Sequence, residues 1–339
     1  MGDTPYKLIA IGGSALLPPQ GDPVYEHLGN FQENGGRVIL VSGMSVNRLN
    51  NQFISLGDPS FNLRQEPFIG YNGVVFSEEK NGSRSIYEKK SLSVKVIREL
   101  FSFARENQLG SLVNRASSMP LFPLLGAYDE KSELLYGLPE NALDALSEKE
   151  YTQHQKYVEA TTGLQIRNIQ ELSEDNLEKI ADTSTTFRLL SFRRPEKNGE
   201  VSKNIAGWLR DVLCTIKGEG YTVSRGQEGR YDRDNPVPDT VDISGYDRGM
   251  ALELLAEILE IDLKKEVLAI GLKSADVPML ERVNYGVVPE HTEPDVFSKA
   301  TFYVPDEGSE STLFKAIHRY ILGKGLPLLT SQKTGVDMP

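Results

Sequence analysis

A chain of 339 residues with a net charge of −11 and a single cysteine, Cys214, has the length of about two domains. Its 39% hydrophobic and 25% charged residues exclude a disordered chain, a collagen-like chain and a coiled-coil rod. One cysteine excludes an internal disulfide and a Cys-rich zinc site, and the acidic balance argues against a nucleic-acid binder, which needs a basic face.

Taken in order, Lys7–Ile11 is a short buried strand, and Val24–Asn34 a helix stopped by Gly35-Gly36. Arg37–Val41 (RVILV) is a second buried strand, followed by a helix over Val46–Leu56. Phe68-Ile69 lead into a third strand and Gly73–Phe76 into a fourth. Asn81-Gly82 then turns the chain back toward Ser85–Tyr87; the Asn81-Gly82-Ser83 sequon reads as that turn rather than as a glycosylation site. Apolar runs separated by helices predict a parallel sheet covered on both faces.

The middle of the chain differs, mixing amphipathic helices with more polar strands. Ile97, Leu100, Phe101 and Ala104 define one helix face, and Leu209, Val212, Leu213 and Ile216 another; Thr186–Phe192 and Tyr221–Ser224 read as strands. The opening style then returns. Met250, Leu254, Leu255 and Ile258 mark a helix, and Val267–Ile270 a buried strand. A short helix follows over Val277–Arg282, then strands over Tyr285–Val288 and Thr301–Val304. Leu313, Phe314, Ile317 and Ile321 share the face of a last helix. The expected fold is therefore α/β, a doubly wound, mostly parallel Rossmann-like core over 1–90 and 243–339. An α+β domain over 91–242 is inserted into it.

No apolar run approaches a membrane span. Asp3 beside Lys7 is no basic leader, and Tyr6 breaks the myristoylation pattern begun by Met1-Gly2, so neither a signal peptide nor a membrane partner is expected. A cytoplasmic location is expected from the cysteine usage.

Five segments, KLIAIGGSALL (7–17), GGRVILVSGMS (35–45), FIGYNGVVF (68–76), YDRGMALELLAEILEI (246–261) and VLAIGLKSADVPMLERVNYGVV (267–288), carry a resemblance. Together they resemble the haloacid dehalogenase superfamily, in its Cof-type, sucrose-phosphate and mannosylphosphoglycerate phosphatase-like branch with a type IIB cap. The resemblance implies that the inserted domain is that cap. It also implies a chemistry. An aspartate ending the first strand attacks phosphorus, and a second aspartate two residues on protonates the leaving group. A Ser or Thr after the second strand and a downstream Lys hold the phosphoryl group. An acidic pair after the fourth core strand binds Mg²⁺ with the nucleophile.

The sequence departs from that pattern at the reacting positions. Gly12 stands at the nucleophile, Ser14 at the general acid, Ala15 at the loop glycine and Met44 at the usual arginine. Arg248 replaces the lysine, and Leu272-Lys273 replace Asp-Gly in the metal loop, leaving Asp276 from the acidic set. Glycine has no nucleophile and leucine no metal ligand. The expectation is a pseudophosphatase with no Mg²⁺ or other cofactor, acting on a protein partner as regulator or scaffold or sensing a sugar phosphate. The alternative is a sugar-phosphate enzyme of altered chemistry built on Ser14, Arg248 and Asp276.

Ser42, Asn72, Arg248, Lys273 and Asp276 are expected to meet at the C-terminal sheet edge, either as an anion pocket or as a rim in which Arg248 and Asp276 pair with each other. Arg188, Arg193 and Arg194 form a basic cluster in the inserted domain, read as cap specificity residues or as a solvated surface. Gly12-Gly13-Ser14 lacks the spacing of a nucleotide loop. His27 is expected on a solvated helix face. Trp208 and Cys214 read as core, and His154, His291 and His318 as structural.

Overall fold

The computed structural model describes residues 6–13, 17–43, 61, 66–70, 73, 75–80, 83–88, 92–107, 109–115, 135–137, 184–191, 207, 221–225, 239–305 and 311–321. The strands in chain order are β1 (Leu8–Gly12), β2 (Arg37–Val41), β3 (Phe68–Gly70), β4 (Val75–Lys80), β5 (Ser83–Glu88), β6 (Gly110–Arg115), β7 (Leu135–Gly137), β8 (Ser184–Ser191), β9 (Thr222–Arg225), β10 (Asp239–Ser244), β11 (Val267–Ile270), β12 (Tyr285–Pro289) and β13 (Phe302–Val304). The helices are α1 (Val24–Glu33), α2 (Val94–Glu106), α3 (Arg248–Ile258), α4 (Val277–Arg282), α5 (Pro294–Phe297) and α6 (Thr312–Ala316). The chain divides into two compact units. One is formed by residues up to 87 and from 246 on, the other by most of the stretch between.

In the first unit eight strands lie in the order β13-β12-β11-β1-β2-β3-β4-β5. β1 is parallel to β2 on one side and to β11 on the other. From β1 the chain moves outward through β2 and β3, then resumes at β11 on the opposite flank, so strand order reverses between β1 and β11. In open α/β sheets ligands bind beyond the carboxyl ends of the strands at such a reversal.

The sheet is covered on both faces because each strand sends alternate residues to opposite sides. Leu8 and Ala10 pack with Leu252 and Leu255 of α3 and with Met279 and Leu280 of α4. Ile9 and Ile11 pack on the other side with Tyr25, Leu28 and Phe31 of α1 and with Leu313. Burying each large aliphatic side chain contributes roughly 1.5–3 kcal/mol. α1 starts where the Asp22 carboxylate accepts from the Val24 N–H at 2.9 Å. It stops before Gly35, which adopts φ +84°, the left-handed conformation that ends helices.

The structure departs from the sequence reading in three places. β4, which runs antiparallel to β3, begins at Val75, because the chain reverses around Gly73 at φ +108°, whose Cα lies against the Asp247 carbonyl with no room for a Cβ. The buried face of α3 is Ala251, Leu252, Leu255 and Ala256, while Met250, Leu254 and Ile258 are only half-buried. Small alanines let the helix approach the sheet, and a reading weighted to bulky side chains overlooks them. The last helix changes from α-turns to a π-turn over Ile317–Ile321. The expected helices over 46–56 and around 209–216 lie outside the described residues.

The second unit holds a five-stranded sheet in the order β7-β6-β8-β10-β9, antiparallel throughout. Its apolar face, with Phe187, Leu189, Val241 and Ile243, packs on Leu92, Val96, Ile97 and Leu100. Phe101 adds an edge-on ring contact to Phe187 at 5.0 Å. The alternate residues Thr186, Arg188, Thr240, Asp242 and Ser244 form the polar face. Strand β10 escaped the sequence reading, although its Thr-Val-Asp-Ile-Ser alternation is a legible strand signal. Among the described residues no helix is long and apolar enough to cross a membrane.

Candidate functional site

The strand tips at the β1/β11 reversal are drawn together by backbone bonds. The Gly13 N–H donates to the Val41 carbonyl at 2.7 Å, the Ser42 N–H to Ile69 at 2.8 Å and the Gly271 N–H to Val287 at 2.9 Å. Gly12, buried Ser42 and the loop after β11 therefore share one edge of the sheet.

Into this edge comes Asp276, which is 1% exposed. Its Oδ2 accepts the N–H groups of Leu272 at 2.9 Å and Lys273 at 3.0 Å, so the loop folds back on its own carboxylate. Its Oδ1 accepts Nη1 of Arg248, the first residue of α3, itself only 8% exposed. Two glycines make room for this carboxylate. A Cβ added at Gly12 would lie 2.5, 2.6 and 2.8 Å from Oδ1, Cγ and Oδ2 of Asp276, and one at Gly271 would lie 2.9 Å from the Asp276 Cβ.

The start of α3 is fixed as well. The Asp247 side chain caps it, accepting the Met250 N–H at 2.6 Å. Arg282 of α4 approaches the same Asp247 carboxylate at 3.3 Å and donates to the Pro278 carbonyl at 3.1 Å. Gly249 lies so close to Pro278 that a side chain there would strike its carbonyl. Arg248 is thus presented by a helix whose first turn is clamped against α4. The sequence reading missed Gly271, Asp247 and Arg282; an Asp directly before the helical run was a readable cap signal.

A family model for haloacid dehalogenase-like hydrolases matches residues 24–317. The chain belongs to this family. Solved structures of haloacid dehalogenase-like proteins share its fold. A haloacid dehalogenase-like hydrolase from Bacteroides thetaiotaomicron is 20% identical, with 93% of this chain and 99% of that one covered and a TM-score of 0.56. The phosphatase BT1666 from the same organism is 14% identical over 94% and 96% of the two chains, TM-score 0.60. The subclass IIB sugar phosphatase BT4131 is 12% identical over 93% and 99%, TM-score 0.56. No curated protein matches the sequence.

Of the expected site residues, Arg248 and Asp276 meet over Gly12, and buried Ser42 follows β2 on the same sheet edge. Lys273 is beside them and exposed. Leu272, expected from the resemblance at the metal loop, is half-buried and packs against the hydrophobic core cluster that includes Tyr25 and Phe31, so its side chain is a packing group. Ser14, Asn72, Arg193 and Arg194 lie outside the described residues, as do Ala15, Met44, His154, Trp208 and Cys214. Arg188, in the second unit, is directly opposite Asp242 across β8 and β10 and donates to it twice, at 2.6 and 2.9 Å.

His27 is half-buried rather than solvated, with ring contacts to Phe314 at 5.5 Å and His318 at 6.2 Å. His291 is exposed.

The donor set does not suit the cation that the family resemblance implies. Mg²⁺ is held by carboxylates, waters and phosphate oxygens in near-octahedral geometry. Here the position opposite Asp276 has no side chain, the loop offers leucine and lysine, and Asp276 accepts two backbone N–H groups and a guanidinium. Among the described residues no group of three potential metal ligands exists anywhere.

Proposed function

We propose that this haloacid dehalogenase-like chain has given up the family's phosphoryl transfer and works by binding, as a regulatory or scaffolding partner of another protein or as a sensor of a sugar phosphate. The observation that carries this reading is the seat of Asp276. Its carboxylate fills the space over Gly12 that a nucleophilic side chain needs, and it is neutralised by Arg248. Nucleophile, general acid and metal ligand are changed together. Removing a nucleophile alone lowers turnover by about 10⁴–10⁶-fold. The kinship to a sugar phosphatase fold supports a phosphorylated sugar as the class of small ligand.

The test is a Mg²⁺-supplemented hydrolysis assay over a panel of sugar phosphates. Release of phosphate should stay at the level of a heat-denatured control. Mg²⁺-dependent turnover that disappears in both Arg248→Ala and Asp276→Ala proteins would overturn the reading and install the alternative, an enzyme of altered chemistry.

A further inference from the structure

The geometry points to the Arg248–Asp276 pair as a lock: Asp276 is an internal competitor that keeps Arg248 from taking an oxyanion until that carboxylate is withdrawn. This rests on the reading that the strand tips bind rather than react. The mismatch with a divalent cation leads to it, because the guanidinium on Asp276 stands in for any external cation.

Three features make the pair a lock rather than an ordinary surface bridge. Both partners are buried, at 8% and 1% exposure. The carboxylate is held by its own loop through the Leu272 and Lys273 N–H groups, so it does not swing aside without losing them. The guanidinium arrives on a different element, whose start is clamped through Asp247 and Arg282. A phosphate oxygen and a carboxylate oxygen make the same charge-assisted bond to a guanidinium. Asp276 takes one N–H of Nη1, and its negative charge, held against the guanidinium, repels a second anion from the remaining N–H groups. A tethered competitor acts at an effective concentration far above that of a free metabolite.

Asp276→Asn isolates the effect. The asparagine amide oxygen continues to accept from Leu272 and Lys273, while its NH₂ group faces Arg248 and offers no acceptor. Inorganic phosphate is the probe, with full-length protein titrated by calorimetry and followed by thermal shift. Asp276→Asn should bind phosphate at least about tenfold more tightly than the unaltered chain, the scale of one charge-assisted hydrogen bond. Arg248→Gln added to Asp276→Asn should remove the gain. Equal affinity in the unaltered and Asp276→Asn proteins overturns the lock, as does a gain that survives Arg248→Gln.

Should circular dichroism find Asp276→Asn unfolded, crystals of the unaltered protein soaked in tungstate decide. An empty site, or an anion with the Asp276 carboxylate moved off Arg248, supports the lock. An anion on Arg248 with the pair intact overturns it. These readouts involve no turnover, so failure here leaves the proposed loss of catalysis standing. Mg²⁺-dependent hydrolysis would refute that loss whatever phosphate does.

Discussion

The first unit sets Arg248 against Asp276, and the second sets Arg188 against Asp242, with the same two residue types in each pair. The way each pair is assembled differs. Arg188 and Asp242 are cross-strand neighbours in an antiparallel ladder, so the register of two strands is enough to bring them face to face. Arg248 and Asp276 meet through the start of α3, the loop after β11, the glycine at the tip of β1 and the clamp from α4. The first arrangement is local and forgiving. The second depends on several segments at once, and a change in any of them reaches the pair. The exposures agree: 21% and 6% for the side chains of Arg188 and Asp242, against 10% and 1% for Arg248 and Asp276.

The comparison is broken most strongly at Gly12. In Gly12→Ala the new methyl group meets the Asp276 carboxylate, which has to leave Arg248 and its loop N–H groups. Breaking a buried charge pair costs about 3–5 kcal/mol, and a loss of that size should appear in urea unfolding. Gly13 next door is the control. A Cβ there meets nothing within 4 Å, but the residue holds φ +77°, so Gly13→Ala should lose only about 1–2 kcal/mol through backbone strain. Equal losses at the two glycines would show that crowding of Asp276 is not what Gly12 avoids.

Double-mutant cycles sharpen the same contrast. Replacing Arg248 and Asp276 singly and together should give a coupling near the upper end seen for contacting residues, about 3 kcal/mol. The Arg188 and Asp242 cycle, on a cross-strand pair more open to solvent, should give about 1–2 kcal/mol. The measurement is the urea midpoint of each variant at constant slope. A larger coupling for the cross-strand pair would reverse the ranking of the two units.

How far these features were legible follows from their range. α1 and its glycine stop, β1, β2, β11 and β12 are carried by short runs with local signals, and the sequence places them within a residue or two. The position of β4 was not, because the reversal at Gly73 is set by the Asp247 carbonyl from a distant part of the chain. Gly12 shows the limit most clearly. In the sequence it reads as a loss, a nucleophile replaced by hydrogen. In the structure that hydrogen is a requirement, since it leaves room for Asp276. No local pattern links the two residues; only the parallel pairing of β1 with β11 does. The Arg248–Asp276 contact was one of two readings the charges allowed, and the hydrogen bonds from Leu272 and Lys273 to the carboxylate were in neither.

The smallest effect belongs to a third pair in the first unit, at the opposite ends of the same two strands. Lys7, just before β1, reaches Glu266, just before β11, at 2.7 Å, and the Lys7 N–H donates to the Glu266 carbonyl at 2.8 Å. The Lys7 hydrogen bond, helped by the Asp262 N–H, holds the Glu266 carboxyl below its ordinary value of 4.5. A depressed folded-state value means the carboxylate favours the folded chain above the unfolded value, and that contribution fades as pH falls through the folded one. Glu266→Gln should therefore melt slightly below the unaltered chain at neutral pH. The two should converge in acid below the carboxylate range. Because Lys7 is exposed, added salt should close the neutral-pH gap as well, whereas the buried strand-tip pair keeps its coupling in salt. A Glu266→Gln difference that persisted in acid would assign the effect to packing of the side chain. Charge would then act on the β1–β11 pairing at the strand tips, through Arg248 and Asp276, and not at the strand starts.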